Sequence, residues 1–216
     1  MAEICPSLIV VDHPLIRHKL TLLRCKDTPT PLFRALMKEV GCLLTAEATR
    51  LLPLEEVDIE TPVRATRGVR LAAVPLVVPI LRAGLGLADG VLAAMPEADV
   101  AHVGVYRNEE TLLPVEYLER LPKSVTGRPV VVVDPMLATG NSSVYVIKLL
   151  LAHGASIESM VFVSLVAAPE GVKTLAAAYP GLRIVTAALD EGLNDSAYIV
   201  PGLGDAGDRL YGTLER

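Results

Sequence analysis

Four consecutive valines, Val130 to Val133, end on Asp134-Pro135. A run of β-branched apolar residues offers no polar face to water. It therefore reads as a strand covered on both sides, as in a parallel sheet packed between helices. Pro135 has no N–H to give to a ladder, so the backbone leaves the sheet there. Met136-Leu137-Ala138 lead into Thr139-Gly140-Asn141-Ser142-Ser143, a stretch of small side chains, hydroxyls and free backbone N–H groups. Val144 to Leu151 predict a helix, with Gly154 as its stop. A helix N-terminus with unpaired N–H groups favours an anion, above all a phosphate. An Asp at the strand end can accept hydrogen bonds from sugar hydroxyls. The pair suits a ribose that carries a phosphate.

Three other motifs share this geography. A nucleotide P-loop requires G-x-x-x-x-G-K-[ST], and no Lys follows Gly140. A nucleophile elbow requires G-x-S-x-G, and Val144 stands where its last Gly should be. The plainest reading is a strand–loop–helix turn whose polar residues only cap the helix.

Around this segment, strands and helices alternate. Ile4 to Val11 predicts a short strand. His13 and His18 lack acid or Cys companions at metal spacing and read as surface or packing residues. Thr30-Pro31 predicts a helix start with Thr30 as cap, and the helix runs with the period Phe33, Leu36, Met37, Val40, Leu43, Leu44 to Pro53. Residues 55–70 read as a hairpin or edge ribbon. Leu71 to Leu81 reads as one buried strand, irregular because of Pro75 and Pro79. Arg82-Ala83-Gly84-Leu85-Gly86 then opens a helix toward Met95, and its Arg and glycines suit a diphosphate. Gly84-x-Gly86 also starts a dinucleotide fingerprint, but Asp89 occupies the third glycine position. Val100 to Tyr106 is a further strand, followed by the charged stretch Arg107-Asn108-Glu109-Glu110-Thr111. Ile157–Val166, Pro169–Ala178 and Leu182–Leu189 read as strand, helix and last strand. The expected fold is α/β, with a mostly parallel central sheet flanked by helices. Ligands gather at the carboxyl ends of such strands, where Arg82, Arg107 and Asp134 fall.

The tail holds Gly202-Leu203-Gly204-Asp205-Ala206-Gly207, which satisfies G-x-G-x-x-G by spacing. Pro201 precedes it and too little chain follows for a strand–helix–strand unit. A loop so rich in glycine exposes backbone donors and acceptors, which can read a flat ring of alternating carbonyls and N–H groups.

Three stretches together resemble the uracil phosphoribosyltransferases of the type I phosphoribosyltransferase superfamily. Val131 to Gly140 is similar to their phosphoribosyl diphosphate (PRPP) loop, with Asp134-Pro135 where most of the superfamily has two acids and Asn141 where a second Gly is usual. Pro79 to Gly86 is similar to their diphosphate loop, and Tyr198 to Asp208 to their uracil signature. Tyr106 to Thr111 resembles their arm over the active site, and His13 to Ile16 with His18 to Leu20 their opening. The resemblance implies conversion of uracil and PRPP to UMP and diphosphate. It implies PRPP binding by Arg82, Arg107, Asp134, Pro135, Met136, Leu137, Ala138, Thr139, Gly140, Asn141, Ser142 and Asp205. It implies uracil binding by Ile199, Gly204, Asp205 and Ala206, with Arg82, Asp134 and Asp205 as catalytic residues. Mg²⁺ would arrive on PRPP, without direct protein ligation. The fold implied is one domain, 1–216, with a small hood from residues 1–25 and 190–216. A homodimer or homotetramer and, in some relatives, activation by GTP complete the expectation.

Length and composition agree. A chain of 216 residues with 51% hydrophobic residues can bury a full core in one domain. A net charge of −5 with no basic block argues against nucleic-acid and acidic-membrane partners. No secretory signal or apolar span is expected. Cys5, Cys25 and Cys42 form no metal or disulfide pattern, which suits reduced thiols in the cytoplasm. Two other classes stay open: a regulator of this fold that binds RNA, and a dinucleotide-dependent oxidoreductase.

Overall fold

The computed structural model describes residues 5–107 and 114–213, the side chains of residues 107 and 114 excepted. The chain opens with β1 (Leu8–Val10), α1 (Pro14–Arg24), α2 (Thr30–Ala48), β2 (Leu54–Glu60), β3 (Ala65–Leu71), β4 (Leu76–Leu81) and α3 (Gly84–Ala94). It continues with β5 (Asp99–Val100), β6 (His102–Arg107), β7 (Pro114–Arg120), β8 (Val130–Val133), β9 (Met136–Leu137), α4 (Asn141–Ala152) and β10 (Met160–Ala167). It closes with α5 (Pro169–Ala178), β11 (Arg183–Leu189), β12 (Gly192–Leu193), β13 (Ile199–Val200) and α6 (Ala206–Tyr211).

The main sheet runs β1-β11-β10-β8-β4-β6-β7, with short β5 and β9 beside β4 and β10. Its pairs are parallel except β6 with β7. The valine run lies in the middle, as its composition requires. Val131 and Val133 pack with Phe33, Met37 and Leu87 of α2 and α3. Val130 and Val132 pack on the other face with Ile147, Leu150, Val172 and Leu175 of α4 and α5. Full burial of each such side chain contributes about 1.5–3 kcal/mol.

Several expectations are corrected. Leu71 to Leu81 is not one strand: Leu71 closes the β2–β3 hairpin, and β4 begins only at Leu76. Pro79 nevertheless sits inside a central strand. β4 pairs with β5 at Leu76 and Val77, then with β6 at Ile80 and Leu81, so the ladder on that side is interrupted opposite Pro79. The missing N–H falls in the gap. Thr30 is the first residue of α2 and not its cap; Pro29 precedes it without a side-chain bond. α2 ends at Ala48, before Pro53. β11 is not the last strand, because β12 and β13 pair as a small hairpin after it. The β2–β3 ribbon forms a sheet of its own, and ion pairs Arg70–Glu55 and Arg67–Glu56 cross it.

Candidate active site at the carboxyl edge of the sheet

β4 and β8 are adjacent, with Pro79 opposite Val133, so Arg82 and Asp134 emerge from neighbouring strands at one edge. Asp134 is still tied to the sheet through its N–H to the Val163 carbonyl, 3.1 Å. Its side chain is half-buried, and the Met136 N–H donates to Oδ1 at 3.3 Å. Loss of hydration outweighs that single bond and pushes the carboxyl up to about 7.

The segment after Asp134 is pinned along β10. The Pro135 carbonyl accepts from the amides of Leu165 and Val166, and the Leu137 carbonyl from that of Ala168. Pro135 and Leu137 are buried, so only their backbone can face a ligand. The left-handed residue of the loop is Gly140, at φ +84°. Asn141 is the first residue of α4. An Asn in place of the family's second Gly therefore meets no conformational demand, and the helix starts three residues earlier than its apolar period suggested. Gly171 of α5 lies beneath: a Cβ there would stand 2.7 Å from the Leu137 carbonyl and closer still to that of Ala138. Gly171→Ala should therefore shift the loop backbone and cost about 1–3 kcal/mol. Thermal unfolding measures the cost.

Arg82 is exposed just past β4, and the Leu81–Arg82 peptide is cis. The Tyr211 hydroxyl donates to the Arg82 carbonyl at 3.0 Å, and the Arg82 guanidinium lies 5.7 Å from the Tyr211 ring centroid. Arg107 ends β6 at the same sheet edge; its side chain, and Asn108 to Thr111 of the expected arm, lie outside the described residues.

The tail reaches this edge from the other end of the chain. Asp205 caps α6, accepting the Asp208 N–H at 2.8 Å, and is otherwise exposed. Ile199 is buried in the core, so its backbone is what a ligand can meet. A cleft of ≈ 310 Å³ brings Asp134 and Ser142 together with Tyr198, Gly204, Asp205 and Ala206. That volume is within the range of small-molecule sites. Met136, Ala138 and Ile199 also line it, while Arg82, Thr139, Gly140 and Asn141 stand outside its lining. The G-x-G-x-x-G spacing leads into the six-residue α6 and not into a strand–helix unit. A second cavity between Pro53, Pro129 and Arg183, at the opposite edge, contains none of the expected residues. Among the described residues no three His, Cys, Asp or Glu side chains cluster to hold a metal.

Sequence reasoning missed four residues around this cleft: Arg24, Asp190, Arg209 and Tyr211. Asp190 follows β11 as Asp134 follows β8, and that was a visible signal. Nothing local marks the arginines.

The sequence model of uracil phosphoribosyltransferase matches residues 10–213. The chain belongs to the uracil phosphoribosyltransferase family. That makes it a glycosyltransferase of the pentosyl class. The uracil phosphoribosyltransferase of Lactococcus lactis subsp. cremoris is 56% identical over 205 residues, covering 94% of this chain and 97% of that one. The solved structure of the AQ2163 protein from Aquifex aeolicus is 39% identical, with a TM-score of 0.90, and covers 97% of this chain and 100% of that chain. The adenine phosphoribosyltransferase of Trypanosoma brucei, solved with AMP, pyrophosphate and ribose-5-phosphate, is 13% identical at a TM-score of 0.56. It covers 91% of this chain and 89% of its own, and it shares the fold. Among the described residues no helix is long and apolar enough to cross a membrane.

Proposed function

We propose that the chain makes UMP and diphosphate from uracil and PRPP at the cleft between Asp134 and the 199–207 loop. The observation that carries this reading is the meeting of an acid and a helix N-terminus from the central sheet with a glycine-rich backbone edge from the tail. The amides and hydroxyls of Thr139 to Ser142 hold the 5′-phosphate, and Asp134 accepts from the ribose hydroxyls. Arg82 and Arg107 stabilise the departing diphosphate, and Asp205 lies between the sugar and the ring. Mg²⁺ arriving with PRPP would supply further neutralisation of the diphosphate charge beside Arg82 and Arg107, with no direct protein ligand expected. The backbone of Ile199, Gly204 and Ala206 reads the uracil edge. The bond from C1 to the diphosphate oxygen breaks with its electron pair on the diphosphate, and uracil N1 bonds to C1. The N1 proton goes to Asp205, to water or to the diphosphate. Charge stabilisation accelerates this step only as far as it is greater in the transition state than in the bound substrate.

The test is UMP formation from labelled uracil, with and without PRPP and Mg²⁺. Cytosine should be refused, by about four orders of magnitude or more in kcat/KM, because its amino group leaves buried partners unpaired. Equal use of both bases rejects the proposed reading of the ring.

We further propose one domain, 1–216, whose hood comes from residues 1–25 and 190–216. Its support is the set of bonds between α1, α2 and the tail, among them Arg34 Nε to the Leu210 carbonyl at 2.6 Å. Cys5, Cys25 and Cys42 are free thiols, which supports a cytoplasmic location. A homodimer or homotetramer and activation by GTP rest on the family resemblance, and sizing by light scattering and a GTP titration test them.

A further inference from the structure

The 199–207 loop is fastened at Gly202 by an ion pair that lies outside the cleft. Arg24, the last residue of α1, grips Asp190 with both prongs: Nη1 donates to Oδ2 at 2.8 Å and Nη2 to Oδ1 at 2.5 Å. The same Nη1 donates to the Gly202 carbonyl at 2.6 Å. Asp190 Oδ2 in turn accepts the Gly202 N–H at 3.0 Å. Both backbone polar groups of Gly202 are thus held by one pair. The Asp190 side chain is 4% accessible and that of Arg24 23%. Gly202 has φ +59°, and a Cβ there would collide with the Ile199 carbonyl. Arg209 reinforces the next residue. Its Nη1 donates to the carbonyls of Leu203 and Leu23, its Nη2 to that of Cys25, and its guanidinium stacks 4.4 Å from the Phe33 centroid.

We propose that Arg24 and Asp190 are positioning residues for the pyrimidine ring. They set the height of the Gly202–Gly204 backbone over Asp134, and with it the affinity for the base; Asp205 is held separately as the cap of α6, and neither residue of the pair contacts the sugar phosphate. This rests on the reading that the 199–206 loop binds uracil. Neither residue lines the cleft. The PRPP loop has separate fastenings along β10, so the two halves of the site should respond separately. The demand for arginine is geometric: a planar fork can meet two carboxylate oxygens and a carbonyl at once, whereas an ammonium is a point donor. Small displacements of binding groups carry large losses.

The experiment is steady-state kinetics of Arg24→Lys, Asp190→Asn and the double variant, with uracil and PRPP varied separately and thermal midpoints recorded. Arg24→Lys keeps the charge opposite Asp190, so that carboxylate is not left alone. Each single variant should raise the uracil KM about tenfold or more and leave the PRPP KM within about twofold. The double variant should lose little beyond the worse single one, because both damage one contact. The proposal is overturned if the uracil KM is unchanged, if both KM values rise alike, or if the two effects multiply. It is also overturned if neither single variant folds with a near-parental PRPP KM, since the pair is then a folding element. A parent chain that makes no UMP at all would instead reject the function proposed above.

Discussion

Arg82→Ala is expected to lower kcat/KM by two to three orders of magnitude, about 2.7–4 kcal/mol of transition-state stabilisation. In the proposed reaction the diphosphate leaves with the electron pair of its bond to C1, and negative charge grows on it as that bond breaks. The backbone that carries this guanidinium, at the carboxyl end of β4, is fixed relative to Asp134 by the ladder between β4 and β8. The fall should appear in kcat and not only in KM, because uniform binding would change KM alone. Folding should be nearly untouched. Arg82 is exposed, and what Tyr211 bonds is its backbone carbonyl, which alanine retains. The expected change in stability is within about 0.5 kcal/mol. Steady-state kinetics beside a thermal melt separates the two. An unchanged kcat/KM would remove Arg82 from the machinery.

Asp134→Asn should do the opposite to activity and to stability. The ribose hydroxyls would lose their ionised acceptor, and kcat/KM should fall by about two orders of magnitude or more, as for loss of a preorganised charged partner. The free protein should become more stable, and only at high pH. Burial raises the carboxyl from 3.8 to about 7. A group raised in the folded state contributes stability that is complete below its unfolded value and is lost as pH rises through the folded value. The wild-type chain thus carries a charged, poorly hydrated carboxylate at pH 8 and a neutral one at pH 4. Asn carries no charge at either and keeps an oxygen for the Met136 N–H. The gap corresponds to at most about 4 kcal/mol, and the opening to the cleft returns part of it. The expected gain is about 1–3 kcal/mol at pH 8 and close to zero at pH 4, a shift of a few degrees. Melting both proteins across pH 4–9 checks the sign; a variant less stable at pH 8 contradicts it. In the wild type, kcat/KM for PRPP should fall as pH drops below about 7, since that ratio reports the free enzyme.

The central half of the site could be read from the chain because its signals are local. Val130 to Val133 has no polar face to expose, and Pro169 to Ala178 begins with proline and keeps an apolar period; both lie where expected. Pro135 interrupts the ladder, but the backbone does not leave the sheet there, because Met136 and Leu137 pair with β10 again. Errors arose where local signals were balanced by a neighbour. Pro79 is tolerated in a central strand only because the adjacent ladder breaks opposite it, and that break belongs to β5 and β6. The start of α4 was misread because Asn141 and Ser142 are poor helix formers that become acceptable at a first turn. The fastening of the tail was out of reach. Arg24 and Asp190 are separated by 166 positions, and a sequence carries no mark of such a partnership until the chain is folded.

The bonds of Arg209 to Leu23 and to Leu203 bear on the order in which the pocket can come into being. A ribosome releases residue 23 long before residue 209, so the wall proposed for the ring is the last piece to be finished, while the sugar's half is already embedded in neighbouring strands. Local opening should run the same way in reverse. A molecule that lets go of either terminus forfeits the ring and keeps its grip on the phosphate.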